Sequence, residues 1–476
     1  MLRQFCLVLL AVLFISSPKS YATDATTENL PNFESSRADE IADYQLSRQF
    51  LRQLRVSTAL RYDPLLINYL ENLSYRLAFH SAVTMPNLQL ILIPDRRINA
   101  FAVAGGVIGV NEGLILYAEN ESELAAVLGH ELGHISQHHY ARSQENSGKS
   151  TMLYLGALLA SIAIASVNSD AGLALGMSAQ AAMVQDQLAH SRQHEREADR
   201  IGMKTLVSAG FNPEAVPNFF SKMEKQARYV GLMPDFLLTH PISQERIADS
   251  TLRARQYKEK GIDNSLEYRL IRARLLAIMN QKDGHQVPAL RQQLRDNPDN
   301  QAVRLSLVFA LMDKEDFDTA RAEIAVLLAK YPQRVDYIIA NADIDLAENK
   351  PALALKTLQE ALLLNPDSVS LNLYAARAAT LNQQGKLSLV WLEPLSHTRP
   401  EDPIVWQALI EAYQQQQDGL GVLRARAEYE FLLGKGEKAL KDLDQAVVMA
   451  KNNYSLMAKI EQRRADIQEI IALEKK

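Results

Sequence analysis

Two histidines four residues apart, His130 and His134, enclose a glutamate in the order His130-Glu131-Leu132-Gly133-His134. The stretch before them, Glu123-Leu124-Ala125-Ala126-Val127-Leu128-Gly129, carries helical periodicity. On a helix, side chains four apart share a face, so both imidazoles can reach one metal ion. Glu131 then stands beside the metal, where a carboxylate can take a proton from water activated there. That is the arrangement of zinc proteases. Two surface histidines and a solvated glutamate on an amphipathic helix are the alternative.

Catalytic zinc takes three protein ligands and keeps a fourth position open. Seven of the ten histidines fall from His130 to His240, among them His138, His139, His190 and His194. The same window holds Ser191-Arg192-Gln193-His194-Glu195-Arg196-Glu197-Ala198-Asp199. Glu195 and Asp199 are four apart and share a helix face. Glu195 can complete a two-histidine, one-glutamate site, and Asp199 can accept a hydrogen bond from the non-ligating nitrogen of a zinc histidine. A charged, solvated helix is the alternative here. Further on, Thr239-His240-Pro241 falls in an expected loop, since proline disfavours helix at the residue before it. His240 can fill the open zinc position as a fourth ligand and latch, help catalysis, or be a plain loop histidine. Arg246 is a candidate to stabilise the oxyanion, with an ion pair to Asp199 or Glu197 as its alternative.

The residues resemble a known family. Asn99-Ala100-Phe101-Ala102, Gly105-Gly106, the run Glu123 to His134, and Ser191-Arg192 with Glu195, Ala198 and Asp199 are similar to the peptidase family that contains HtpX and the type I CAAX prenyl proteases. The resemblance implies an α+β gluzincin metalloprotease domain. Zinc, one ion per chain, would be held by His130, His134 and Glu195, with Glu131 as general base and Asp199 orienting a ligand.

The elements that must position these residues follow from pattern. Residues 38–80 read as helical. Leu88 to Pro94, Ala100 to Ala104 and Val107 to Val110 read as short strands. One of them is a candidate edge for an extended substrate, with a plain core strand as the alternative. Arg142 to Ser150 reads as a polar loop and possible lid. Residues 152–184 read as an apolar helical insert near the active site, packed or touching a membrane surface, and too short to span a bilayer.

From residue 266 the character changes. Pro298, Pro332, Pro366 and Pro400 recur every 34 residues, the tetratricopeptide (TPR) period. Ala320, Ala354 and Ser388 repeat as small crossing positions, and Ile324, Leu358 and Leu392 as their apolar companions. Arg274 stands where the first repeat should have a small residue. An irregular insertion is expected around Gln414 to Gly421, with Ala427, Ala439, Leu443 and Ala446 in a further repeat. Stacked repeats form an all-α superhelix whose surface binds partner proteins.

The chain has 476 residues, room for more than one domain, and a net charge of −5 that does not favour nucleic acid. Arg3, the apolar run Phe5 to Ile15 and Ser20-Tyr21-Ala22 read as a signal peptide, 1–22, cleaved after Ala22. Cys6 lies inside it, so the mature chain carries no disulfide. The expected order is signal peptide, zinc metallopeptidase domain over 23–262, and TPR domain over 266–476, with the peptidase folding without the repeats. Leader, peptidase and repeats together are similar to periplasmic members of the family. That resemblance implies outer-membrane β-barrel precursors as substrates, assistance to their assembly, degradation of stalled barrels, and the barrel-assembly machinery as a partner of the repeats. A TPR chaperone or adaptor whose protease site is largely latent is the competing reading.

Overall fold

The computed structural model describes residues 37–83, 87–137, 159, 192–230, 235–279 and 286–474. The expected signal peptide, the stretch Arg142 to Ser150, and all but Leu159 of the apolar insert lie outside these residues. No helix among the described residues is long and apolar enough to cross a membrane.

The helical stretch expected at 38–80 is two helices, α1 (Arg37–Ser57) and α2 (Pro64–Phe79). The break has a local cause. Pro64 opens α2, and the Asp63 carboxylate accepts from the N–H groups of Leu65 (3.1 Å) and Leu66 (3.0 Å). Proline at the first helical position gives up a donor that would be orphaned anyway.

Strands β1 (Gln89–Ile93), β2 (Ala100–Val103) and β3 (Val107–Asn111) form a sheet in the order β1-β3-β2, with β1 parallel and β2 antiparallel to β3. Both faces are covered, which is why the strands read as unbroken apolar runs. Leu90, Leu92, Ala102, Ile108 and Val110 enter the main core. Ile91, Ile93, Phe101, Val103 and Val107 enter a smaller one closed by Phe50, Leu51 and Leu54 of α1. Gly109 lies opposite Phe101, and a Cβ there would stand 2.3 Å from the ring. Among the described residues β2 is an edge strand, with all four residues buried.

After α3 (Glu112–Tyr117) comes α4 (Glu121–Ser136), which packs against α2 and β2. Helix α5 runs over 192–208, followed by α6 (Ala215–Val230), α7 (Asp235–Thr239) and α8 (Gln244–Ala254).

The repeats begin with α9 (Leu266–Met279) and α10 (Val287–Asp296). The first helices of the later repeats are Gln301–Asp313, Val335–Ala347, Val369–Leu381, Pro403–Gln415 and Gly436–Met449. Their partners are Phe317–Lys330, Pro351–Leu364, Gly385–Thr398, Gly419–Leu432 and Tyr454–Glu474. The expected irregular insertion at Gln414 to Gly421 is instead the ordinary turn inside a repeat, and Ala427 belongs to that repeat's second helix. Glu315, Asn349, Gln383 and Gln417 hold these turns in left-handed conformation, with φ from 56 to 59°. Each lets the chain reverse after a helix.

Peptidase and repeats share one hydrophobic core. Tyr268, Ile271 and Leu275 of α9, together with Ile339, Leu358 and Tyr374, cluster with Leu66, Leu90 and Leu128. Each large side chain so buried contributes about 1.5–3 kcal/mol, so a chain ending near residue 262 would expose much of that surface. Arg274 adds a charged link. Buried, it pairs with Asp63 (2.8 Å) and Asp343 (3.2 Å) and donates to the Tyr374 hydroxyl. Helix α1 ties the far repeats to the sheet, through Arg48 to Glu401 (2.8 Å) and Arg52 to Glu474.

Candidate metal centre

Helix α4 has no exposed side, and every residue from Glu121 to Ile135 is buried. Asn120 caps it, accepting from the Glu123 N–H at 2.9 Å. Its histidine-bearing face meets α5 at very short range. A Cβ on Gly202 would lie 2.9 Å from the His130 backbone nitrogen, and one on Gly133 would lie 3.0 Å from Ala198 O. Small residues on both helices let the backbones approach until short acidic side chains on one reach imidazoles on the other.

The result is a buried cluster. One donor atom each from His130, His134, Glu195 and His240 lie within 4.8 Å of one another. His130 Nε2 is 3.0 Å from His134 Nε2 and 3.3 Å from Glu195 Oε2, and His134 Nε2 is 3.3 Å from Glu195 Oε1. The other nitrogen of His130, Nδ1, lies 3.0 Å from Asp199 Oδ1. Glu131 is fully buried beside them, and neither of its oxygens is hydrogen-bonded.

His240 follows directly on α7. Its ring lies 4.8 Å from that of Phe236 at 33°, and its N–H donates to Phe236 O at 2.8 Å. Its Nδ1 is 3.2 Å from Glu195 Oε1, and its Nε2 is 3.3 Å from Glu131 Oε1. Arg246, at the start of α8, donates from Nε and Nη2 to the two oxygens of Asp199, both at 2.7 Å. Its Nη1 reaches Glu195 Oε2 (2.9 Å) and Pro241 O (2.7 Å). These contacts include the ion pair to Asp199 weighed as the alternative to oxyanion binding, and one to Glu195. His138, His139 and His190 lie outside the described residues.

A profile described as Peptidase family M48 matches residues 64–254, and one described as tetratricopeptide repeat matches residues 287–342. The beta-barrel assembly-enhancing protease of Yersinia pestis is 33% identical over 419 residues, covering 88% of this chain and 85% of that one. The chain belongs to Peptidase family M48, among the beta-barrel assembly-enhancing proteases. The protein of that name in Escherichia coli is 32% identical over 431 residues, 90% of this chain and 88% of its own. The mitochondrial metalloendopeptidase OMA1 of Schizosaccharomyces pombe is 30% identical over 180 residues, 38% of this chain and 50% of its own. This M48 peptidase is a metalloprotease built as an α+β peptidase followed by helical repeats.

The donor set fits a metal. Glu195 and Asp199 pair with one guanidinium, Arg246, and Glu131 is buried beside them. With neutral imidazoles the cluster carries an excess of two negative charges, the charge a divalent cation neutralises. Burial opposes charge on His130, but Asp199 and Glu195 outweigh it and push the imidazole pKa up to about 10. Without a metal the carboxylates therefore hold a proton there instead. Burial holds His134 below its usual value. Burial alone would raise Glu195 and Asp199. The three histidines around Glu195 bring it well down, and Arg246 with His130 brings Asp199 below its usual value.

Sequence reasoning missed what makes the cluster possible. Gly129, Gly133, Ala198 and Gly202 stand at small-residue spacing on the two helices, a signal that was present. The reach of Arg246 to Asp199 and Glu195 together depends on the turn at His240-Pro241 and had no local mark.

Proposed function

We propose that this M48 peptidase is a zinc endopeptidase of the bacterial periplasm. In this reading it assists the assembly of outer-membrane β-barrel proteins and cleaves those that misassemble or stall. The observation that carries the catalytic part is the buried cluster of His130, His134 and Glu195 beside the fully buried Glu131. The relatives' name supports the choice of substrate.

His130, His134 and Glu195 would hold the ion. Zinc held there would supply Lewis acidity toward water and the scissile carbonyl. Glu131 would be the proton carrier, taking a proton from the attacking water and giving it to the leaving amine. Its Oε1 lies 3.3 Å from His240 Nε2, so His240 must move aside for Glu131 to reach the water. Asp199, with Oδ1 3.0 Å from His130 Nδ1, would fix which imidazole nitrogen faces the ion. Arg246 acts as a positioning residue, holding Asp199 and Glu195 in one orientation. His240 stands between Glu131 and Glu195, where it would keep water from Glu131 and could supply a fourth ligand. The enzyme is latent until a substrate or partner draws His240 aside.

The repeats supply recognition, with the barrel-assembly machinery as partner. Segment 1–22 directs export, the peptidase runs over 23–262, and the repeats over 266–476. The test is photo-crosslinking from first-helix positions of the repeats in cells carrying wild-type or Glu131→Gln protein. Crosslinks to barrel precursors that persist longer in Glu131→Gln support the reading. Crosslinks to neither precursors nor assembly machinery would reject it.

A further inference from the structure

Residues 262–265 lead from the peptidase into the repeats, and they bind both ligand-bearing helices on the way. The Ile262 N–H donates to Gly210 O (3.0 Å), and Ile262 bridges Phe211, just past the C-terminal end of α5. At the start of α4, the Ser122 N–H donates to Asp263 O (3.1 Å) and the Glu121 N–H to Asn264 Oδ1 (3.0 Å). The Ser265 N–H donates back to Glu121 Oε2 (2.8 Å), and the Ser122 hydroxyl to Ile262 O. Asn212 closes the ring, donating from its N–H to Ser122 Oγ (3.1 Å) and from Nδ2 to Asp263 Oδ1 (2.7 Å).

The first N–H groups of a helix have no partner within it. Asn120 takes that of Glu123, while the junction takes those of Glu121 and Ser122. The same segment is anchored on the far end of α5, so the start of one ligand helix is tied to the end of the other. The two helices touch where Gly129 and Gly133 meet Gly202 and Ala198. Packing on α2, β2 and α6 restrains α4 along its length, and rotation about that crossing is the motion its tied start opposes. His134 and Glu195 lie towards the side of the crossing away from the tied ends, so rotation would move one ligand against the other. Tying the ends limits that rotation.

We infer that residues 262–265 are a clasp that sets the geometry between the two ligand-bearing helices, with Asn264 and Ser122 as positioning residues for the peptidase reaction. The inference rests on the proposed metal assignment. The clasp is continuous with α9, whose Tyr268 hydroxyl lies between Ala118 O (2.9 Å) and Ile115 O (3.0 Å), just ahead of α4, and donates its one proton to this pair. Load on the repeats therefore reaches the metal ligands through a short, hydrogen-bonded path.

The test uses the full chain as wild type, Asn264→Ala, Asn264→Asp and Ser122→Ala. Three things are measured: zinc release to a chelator, kcat and KM on casein, and hydrogen exchange of the amides from Val127 to His134. Asn264→Ala and Ser122→Ala should release zinc about tenfold faster and lower kcat about tenfold at unchanged KM, the scale of a small misplacement of reacting groups. Asn264→Asp keeps the acceptor and should restore both. Exchange in α4 should rise in the two alanine variants with or without zinc. That readout needs neither metal nor activity, so it holds if the zinc reading fails. Unchanged exchange and zinc release in both alanine variants would overturn the clasp. So would an Asn264→Asp as defective as Asn264→Ala, or losses that merely follow the folded fraction seen by circular dichroism.

Discussion

Arg246 and Asp199 form a buried two-pronged ion pair, Nε to Oδ2 and Nη2 to Oδ1, each 2.7 Å long. The same carboxylate lies 3.0 Å from His130 Nδ1, and the same guanidinium reaches Glu195. One side chain from α8 thereby orders groups on both α4 and α5.

Arg246→Lys should keep the fold and lose metal affinity by about 10- to 100-fold, the usual cost of disturbing a group behind a metal ligand. A lysine keeps the charge but cannot make two parallel bonds to one carboxylate. Competition with a graded chelator measures the effect. Wild-type affinity in Arg246→Lys would remove the positioning role.

Gly202→Ala should separate α4 from α5. Its Cβ has backbone atoms of Gly129 and His130 within 3.0 Å and no flexible side chain to push aside. Overpacking of this kind costs about 1–3 kcal/mol. A lowered urea midpoint together with reduced metal content is expected. A variant as stable and as metal-loaded as wild type would contradict the close crossing.

His240→Ala tests the latch. Its imidazole is within 3.3 Å of both Glu131 and Glu195, so removing it should raise the rate of casein cleavage. A large loss of turnover with the fold intact would make His240 a catalytic helper. No change would make it a structural histidine.

Metal binding should release about one proton at neutral pH. His130 of the metal-free site keeps its proton until pH passes about 10, and a metal-bound imidazole cannot carry one on the bonding nitrogen. Affinity should therefore climb about tenfold per pH unit and level off above pH 10. His134, held neutral by burial, adds no proton. For the metal-free fold the sign is opposite. The raised pKa contributes stability fully present below 6.5 and lost as pH rises through about 10. Titration calorimetry in buffers of differing ionisation heat counts the proton. A count of zero would contradict the raised His130 pKa.

Much of this was legible in the chain. Helical spacing placed His130, His134, Glu195 and Asp199 on two faces, and the 34-residue proline period located the repeats. Local pattern left out what depends on distant partners. Arg274 looked like a defect in the first repeat, because Asp63, Asp343 and Tyr374 lie far away in sequence. An independent peptidase ending near residue 262 was expected because composition changes there. The core does not change there, since Tyr268 and Ile271 pack with Leu66 and Leu128. The apparent insertion at Gln414 to Gly421 arose because Gly434 takes the place that proline holds in the preceding repeats.

Metal content and proteolysis, measured together on full-length wild type, Glu131→Gln and Glu195→Ala, test the central claim most directly. Wild type should hold one zinc and cleave. Glu131→Gln should hold one zinc and fail to cleave, because it lacks only the base. Glu195→Ala should lose both, because it lacks a ligand. Full zinc occupancy in Glu195→Ala, or wild-type cleavage by Glu131→Gln, would contradict the account.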